Sequence, residues 1–258
     1  NFEMLKEQGW FFERMYAAGH RSVRGIEAVT ASMPISPLPS IVKLTAQNEL
    51  TTIFSVYKKL GYNTSFIYGG ESHFDNMRRY FFGNGVDHIT EQKDYKNPKF
   101  VSSWGVSDED LFERANKNFV EFSKEGKPFA SIVFTSSFHD PFDIPEGKVN
   151  IDGIKTDDPK RLLAAKYADY ALGKFFEQAQ KEDYYKNTVF VVIADHDSRV
   201  RGLDGFPLTN YSIPALIISP DITPHKDTRV VSQIDIMPTI FSITGVQGQI
   251  PSVGQDLT

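Results

Sequence analysis

Residues Thr188 to Asp197 read Thr-Val-Phe-Val-Val-Ile-Ala-Asp-His-Asp, and this stretch decides the fold class. The apolar run from Val189 to Ala194 is unbroken and stops abruptly at Asp195, His196 and Asp197. A run this short reads as a strand, and apolar side chains on both of its faces demand cover on both sides, as inside a parallel sheet. In open α/β sheets, chemistry gathers just beyond the carboxyl ends of strands. Two carboxylates around an imidazole at such an end read as a candidate metal site. The competing reading makes Asp195 the cap of a following helix and His196 a loop residue.

Outward from this strand, helical and extended patterns alternate along nearly the whole chain. Strands are predicted over Trp10 to Tyr16, Asn63 to Tyr68, Phe129 to Thr135 and Ile213 to Ser219, with a short extended piece at Val230 and Val231. Helices are predicted over Phe2 to Gln8, Val23 to Ser32, Glu49 to Leu60, Phe74 to Phe82, Asp108 to Glu125, Pro159 to Gln180 and Asp235 to Thr244. In the helix from Asp108, the residues Leu111, Phe112, Ala115, Phe119 and Phe122 recur on one face. Met33 to Ser40 holds three prolines and is irregular, Val86 to Ser103 is an irregular connection, and Asp140 to Asp158 and Ser198 to Asn210 are loops. The alternation predicts an α/β protein with a mostly parallel sheet and helices on both faces. The chain reads as one domain over residues 1–258, with the last 40 or so residues as a possible small subdomain.

The 258 residues carry a net charge of −5, which speaks against general affinity for nucleic acid. With no cysteine, disulfides and thiolate metal sites are excluded. No apolar run reaches the roughly 18 residues of a membrane span. The chain starts at Asn1 rather than methionine and reads as an excised piece of something longer.

Asp195 and His196 offer the oxygen and nitrogen donors that suit Mn²⁺, Mg²⁺ or Zn²⁺. Adjacent side chains on a regular strand point to opposite faces, so both reach one ion only if the backbone bends there. Asp197 is left with a supporting role or none. Ser22 is placed to cap the helix that follows, where amide donors and the helix dipole favour an anion. A metal on that hydroxyl would make it a competent nucleophile; the alternative is a capping serine and no more. Arg21 and Arg24 flank Ser22 and are candidates for phosphate oxygens. His139 follows a strand and is a candidate donor to a substrate oxygen, or else an exposed loop residue. His20, His73, His88 and His225 read as surface residues, with His20 and His73 the nearest to exceptions.

Five segments in order resemble the alkaline phosphatase/sulfatase superfamily, and more closely its lipoteichoic acid synthase-like branch of phosphoglycerol transferases. They are Gly19 to Ala28, Gly69 to Met77, Thr135 to Phe142, Ile193 to Asp197, and Gln233 to Thr239 together with Val253 to Leu257. The resemblance implies a three-layer α/β/α sandwich and one divalent metal, Mn²⁺ or Mg²⁺ before Zn²⁺. It implies that Ser22 is nucleophile and metal ligand, that Asp195 and His196 are metal ligands, and that His139 contacts the phosphoglycerol. It puts His73, Phe74 and Asn76 in the segment that shapes the substrate groove. The branch has threonine in place of Ser22, and relatives with lipoteichoic acid activity have Trp and Arg in place of Phe74 and Asn76. The family's first strand, with an acidic ligand, is expected upstream of Asn1.

The resulting expectation is a metal-dependent transferase on the extracytoplasmic face of a bacterial membrane. It takes phosphoglycerol from a phosphatidylglycerol-like lipid and passes it to a glycan or lipid-linked acceptor, and its membrane spans precede residue 1. Alternatives are a phosphate-ester hydrolase or phosphoethanolamine transferase on the same fold, or a non-enzymatic lipid-binding or regulatory domain. A sulfatase is disfavoured because Ser22 is followed by Val23-Arg24-Gly25, without the Pro-x-Arg spacing that precedes conversion to formylglycine.

Overall fold

The computed structural model describes residues 1–197 and 208–258. In chain order the helices are α1 (Phe2–Lys6), α2 (Ser22–Ala31), α3 (Ile53–Lys59), α4 (Met77–Gly83), α5 (Asp108–Lys124), α6 (Pro159–Ala179) and α7 (Ile236–Ile243). The strands are β1 (Trp10–Tyr16), β2 (Asn63–Tyr68), β3 (His88–Thr90), β4 (Val101–Ser102), β5 (Gly105–Val106), β6 (Phe129–Phe134), β7 (Phe190–Ile193), β8 (Ser212–Ile218) and β9 (His225–Ser232). The α/β class stands. The chain divides into two compact units, each discontinuous in sequence: residues 1–3, 60–74 and 86–186 form one, and residues 4–59, 75–85 and 187–258 the other.

The first unit holds the parallel sheet β3-β2-β6 and the small antiparallel pair β4-β5. The region from Val86 to Ser103, expected to be irregular, supplies β3 and β4, strands too short to show a period of two. Central β2 buries Phe66, Ile67 and Tyr68 completely or nearly so. Helix α5 starts where Ser107 Oγ accepts from Asp110 N, and three acidic residues in its first turn suit the positive end of the dipole. Its predicted inward face is buried, each large side chain contributing about 1.5–3 kcal/mol on leaving water. Phe119 stacks on Phe129 of β6, and Phe112 on Phe175 of α6. Helix α6 begins at Asp158, whose carboxylate accepts from Arg161 N, with Pro159 in the first turn where its missing N–H costs nothing.

The second unit holds the sheet β7-β8-β1-β9. β1 pairs parallel with β9 and antiparallel with β8, which in turn pairs antiparallel with β7. The parallel neighbour expected for β7 is therefore corrected: an apolar run on both faces reports burial, and carries nothing about the direction of the adjoining strand. β7 ends its sheet among the described residues, and all four of its residues are half-buried. A bulge between Phe12 and Met15 breaks the register of β1, so Glu13 and Arg14 both face solvent while Phe12 and Met15 are buried.

The expected two-residue extended piece at Val230 is part of the eight-residue β9, most of whose side chains are exposed. Its pattern is legible only once β1 lies beside it. β9 and α7 belong to the same unit as β1, so the C-terminal residues are no appended subdomain. Their side chains Val231, Ile236 and Leu257 share a core with Trp10, Phe12, Met15 and Ile217. Of the loop expected over 198–210, residues 198–207 lie outside the described residues, and Leu208–Tyr211 forms a 3-10 turn.

Candidate active site

The candidate nucleophile lies in the second unit, where β1 passes into α2. Ala17 N donates to Tyr211 O at 2.8 Å and Ala18 N to Gln233 Oε1 at 2.8 Å, which fixes the chain before it turns. Arg21 takes the cap position with extended φ and ψ of −137° and 142°. Ser22 is thus the first residue inside the helix rather than its cap, and the Arg21 side chain makes no capping hydrogen bond. The hydroxyl sits at the positive end of the dipole, half-buried, where helix amides favour an anion.

One turn further on, Gly25 meets Asp195. A Cβ built on Gly25 would lie 2.3 Å from the Asp195 carbonyl oxygen and 2.9 Å from its Cα. Only glycine admits that approach. Ser22 and Gly25 are three residues apart and so share a side of the helix. The same contact therefore carries the Ser22 turn to the end of β7.

At that end the backbone leaves the strand after Ile193 and bends through Asp195 and His196, as a shared ligand role for adjacent residues requires. His196 N donates to Asp195 Oδ1 at 3.0 Å. His196 Nδ1 lies 2.5 Å from Asp197 O, and because a carbonyl only accepts, Nδ1 carries the proton. In the neutral ring Nε2 then bears a lone pair, and it faces Asp195 Oδ2 at 3.6 Å. Two converging acceptors repel unless a cation shares them, and their separation suits adjacent ligands whose bonds are about 2.1 Å. The donor set fits a divalent ion. Among the described residues no three His, Cys, Asp or Glu side chains gather as a group able to hold one.

Asp197 has work of its own. Its Oδ1 pairs with His20 Nδ1 at 2.8 Å, and the His20 ring lies 4.1 Å from that of Tyr211. His20, read from the sequence as a surface residue, thus joins the same cluster two positions before Ser22. Arg21 is 59% exposed and its guanidinium is 3.9 Å from Asp75, whose carboxylate also pairs with Lys43. Asn76 adopts a left-handed conformation with φ of 61°, and its Nδ2 donates to Lys43 O at 3.3 Å.

Arg24, expected to reach phosphate, is engaged within the chain. Its Nη1 donates to Glu27 Oε1 at 2.6 Å, and its Nη2 donates to Ser36 O at 3.0 Å and to Leu38 O. Glu27 is buried and its other oxygen accepts from Ser40 Oγ and Ile41 N. Arg24 therefore ties the proline-rich loop to α2. The Glu27 pairing is a one-turn contact that helical spacing allows; the Ser36 and Leu38 carbonyls are brought to Arg24 only by the fold of the loop.

His139, His73 and Phe74 belong to the first unit. His139 Nδ1 lies 2.9 Å from Asp140 O and so carries its proton, leaving Nε2 as acceptor or base in the neutral ring. Trp104 Nε1 donates to the same carbonyl at 2.7 Å, and its ring lies 4.0 Å from that of His139. Phe74, 45% exposed, meets Trp104 edge-on at 5.5 Å. Trp104 sits in the β4–β5 turn, packed so tightly that a Cβ on Gly70 would lie 2.5 Å from its carbonyl oxygen. Trp104 was missed because nothing in its local sequence marks a site. His73 is exposed and pairs loosely with Glu71 at 3.4 Å, a surface contact of little energetic weight.

Residues 1–246 match the protein-family model described as Sulfatase, and the chain belongs to that family, within the alkaline phosphatase superfamily. Its fold is that of a protein of the alkaline phosphatase superfamily from Vibrio parahaemolyticus, with 52% identity, TM-score 0.94 and coverage of 99% of this chain and 62% of that one. The lipoteichoic acid synthase LtaP from Listeria monocytogenes shares the fold at TM-score 0.90 and 22% identity, over 99% of this chain and 68% of that one. Among curated relatives, the lipoteichoic acid synthase-like YvgJ of Bacillus subtilis is 23% identical over 78% of this chain. Phosphoglycerol transferase I of Xanthomonas axonopodis pv. citri is 25% identical over 72%. The chain matches only 36% and 28% of those two relatives' lengths. No helix among the described residues is long and apolar enough to cross a membrane.

Proposed function

We propose that this chain carries the catalytic site of a metal-dependent phosphoglycerol transferase acting on a phosphatidylglycerol-like lipid. The observation that carries the reading is the contact of Gly25 with Asp195, which brings the Ser22 turn against the Asp195–His196 bend. The names of the curated relatives support the substrate class. Ser22, Asp195 and His196 are the residues that would hold the ion, Mn²⁺ or Mg²⁺ before Zn²⁺. A bound divalent ion lowers the pKa of a coordinated hydroxyl and offsets charge on a phosphoryl oxygen.

In the proposed reaction Ser22 Oγ bonds to phosphorus and the P–O bond to diacylglycerol breaks. Diacylglycerol leaves as the alcohol, taking up the equivalent of the serine proton. An acceptor hydroxyl on a glycan or lipid-linked polymer then displaces Ser22 from phosphorus and returns a proton to it. The helix amides at the start of α2 and the exposed guanidinium of Arg21 are suited to hold the phosphate oxygens. A contact of His139 with the transferred group rests on the family resemblance.

The proposal includes a further strand with an acidic ligand, for which the half-buried apolar edge of β7 is the support. It also includes membrane segments preceding residue 1 and a catalytic site on the extracytoplasmic face, which would hold the site beside a lipid donor. The test follows labelled phosphatidylglycerol in the complete polypeptide and in its Ser22→Ala variant. Transfer of label to an acceptor, lost in the variant, supports the reading. Release of inorganic phosphate alone makes the protein a hydrolase, and full activity in the variant removes Ser22 from the nucleophile role. Absence of both turnover and divalent-ion binding in the complete polypeptide favours a non-enzymatic lipid-binding domain.

A further inference from the structure

We infer that Gln233 is a positioning residue that sets the Ser22 segment and the Asp195–His196 bend against each other; the inference rests on the proposed site and adds a part to it. Gln233 directly follows β9 and is completely buried. Its Oε1 accepts from Ala18 N at 2.8 Å, and its Nε2 donates to both Ala194 O and Asp195 O, each at 2.8 Å. The amide orientation follows from chemistry: a backbone N–H needs an acceptor and two carbonyls need donors, so only one assignment satisfies all three.

One side chain therefore holds the chain just before Gly19-His20-Arg21-Ser22 and the backbone of the candidate ligand Asp195. Ala18 N has few other options. Ala18 and Gln233 are both buried, and an unsatisfied buried polar group is costly. Ala194 N is tied to Pro214 O at 3.2 Å, and Gln233 supplies the matching tie on the carbonyl side of the bend. Helix α2 contributes the remaining contact, Gly25 against Asp195. Between the two, the Asp195 peptide is held from two directions, and its carboxylate direction follows from its backbone. Groups that orient metal ligands from behind typically change metal affinity 10–100-fold when removed.

Three variants of the complete polypeptide test this. Gln233→Met keeps the volume and removes all three hydrogen bonds. Gln233→Glu keeps the acceptor for Ala18 N but turns an oxygen toward two carbonyls. Thr239→Val is the control, because Thr239 is equally buried and bonds Asp235 O and Leu257 N within the same C-terminal segment, away from Asp195. Amide hydrogen exchange is followed at Ala18 and at His196, with Mn²⁺ affinity measured by calorimetry and kcat and KM on labelled phosphatidylglycerol.

In Gln233→Met exchange is expected to accelerate at both sites together, and in Gln233→Glu at His196 more than at Ala18, by about tenfold for each lost tie. Mn²⁺ affinity and kcat are expected to fall by a similar factor, with KM within about twofold. Thr239→Val is expected to melt lower and to leave these readouts as in wild type. Unchanged exchange at His196 in folded Gln233→Met overturns the inference, as does an equal change in Thr239→Val. If wild type neither binds Mn²⁺ nor transfers label, the proposed function fails, and the exchange comparison still decides the role of Gln233.

Discussion

Gly25 and Asp195 meet backbone to backbone: a Cβ on the glycine would intrude to 2.3 Å from the aspartate carbonyl oxygen. Gly25→Ala must push α2 away from the end of β7 or move the bend that carries Asp195. Such overpacking of a dense site costs about 1–3 kcal/mol. A lowered melting temperature is expected, with loss of divalent-ion affinity larger than the stability loss alone would produce. Paired thermal melts and Mn²⁺ titrations check this; an alanine variant with wild-type affinity would show that the approach is incidental.

Ser22 differs by one methyl group from the threonine seen in the branch it resembles. Because the residue is the first of α2 and only half-buried, Ser22→Thr is expected to retain transfer within about an order of magnitude. Ser22→Ala is expected to lose it by several, on the scale of losing a nucleophile. Accumulation of a labelled covalent protein intermediate in wild type and Ser22→Thr, absent from Ser22→Ala, is the measurement.

Trp104 supports His139 through ring contact at 4.0 Å and a shared acceptor, Asp140 O. Trp104→Phe keeps a ring and drops the N–H, while Trp104→Ala drops both. The alanine variant is expected to be the less stable, aromatic contacts adding about 0.5–1.5 kcal/mol beyond area. Its His139 ring resonances are expected to broaden or shift relative to wild type. Identical His139 spectra in both variants would contradict a supporting role for the indole.

Asp227 is buried against Arg229 and Trp10, and the Arg229 hydrogen bonds hold its carboxyl below the usual carboxylate range. The sign follows from linkage: a lowered folded pKa adds stability that is complete above the unfolded value of about 3.9 and is lost as pH falls through the folded one. Asp227→Asn is expected to cost about 1.5–3 kcal/mol near neutral pH, as for a hydrogen bond to a charged group. The difference from wild type is expected to shrink below about pH 4. Denaturant unfolding at several pH values tests it.

Asp108 behaves oppositely. Burial raises its pKa, only partly offset by hydrogen bonds from Ser136 N and Ser137 N to Oδ1, and Oδ2 has no partner among the described residues. A raised folded pKa means the charged form costs stability at high pH, and the cost is relieved as pH falls through the folded value. Asp108→Asn keeps the acceptor and is expected to match or exceed wild type at about pH 8, losing that advantage toward pH 4. Asp108→Ala strands the half-buried amide of Ser136 and the buried amide of Ser137 and is expected to lose about 1–3 kcal/mol at every pH. Denaturant unfolding of the three proteins across that range distinguishes them.

The sequence by itself determined the order and kind of most elements. The inward face of α5 and the valine-rich β7 are local patterns, and local patterns survive folding. It also named Ser22, Asp195, His196 and His139 as candidates, because hydroxyl, carboxylate and imidazole groups at element ends are visible without coordinates. Where the structure departs, the deciding partner is far away or along an unexpected face. β7 runs antiparallel to β8 because strand direction is set by the neighbour. β9 forms because β1 supplies its hydrogen bonds. Arg24 is drawn to Glu27 and a loop, and Asp197 to His20, because each charge takes the nearest counter-group that folding provides. Gln233 sits in a segment remote in sequence from both Ala18 and Asp195, and only the tertiary structure brings its one amide within hydrogen-bond reach of all three backbone groups. The residue types that can do chemistry were written in the chain; their orientation was decided by long-range contacts, which no local pattern encodes.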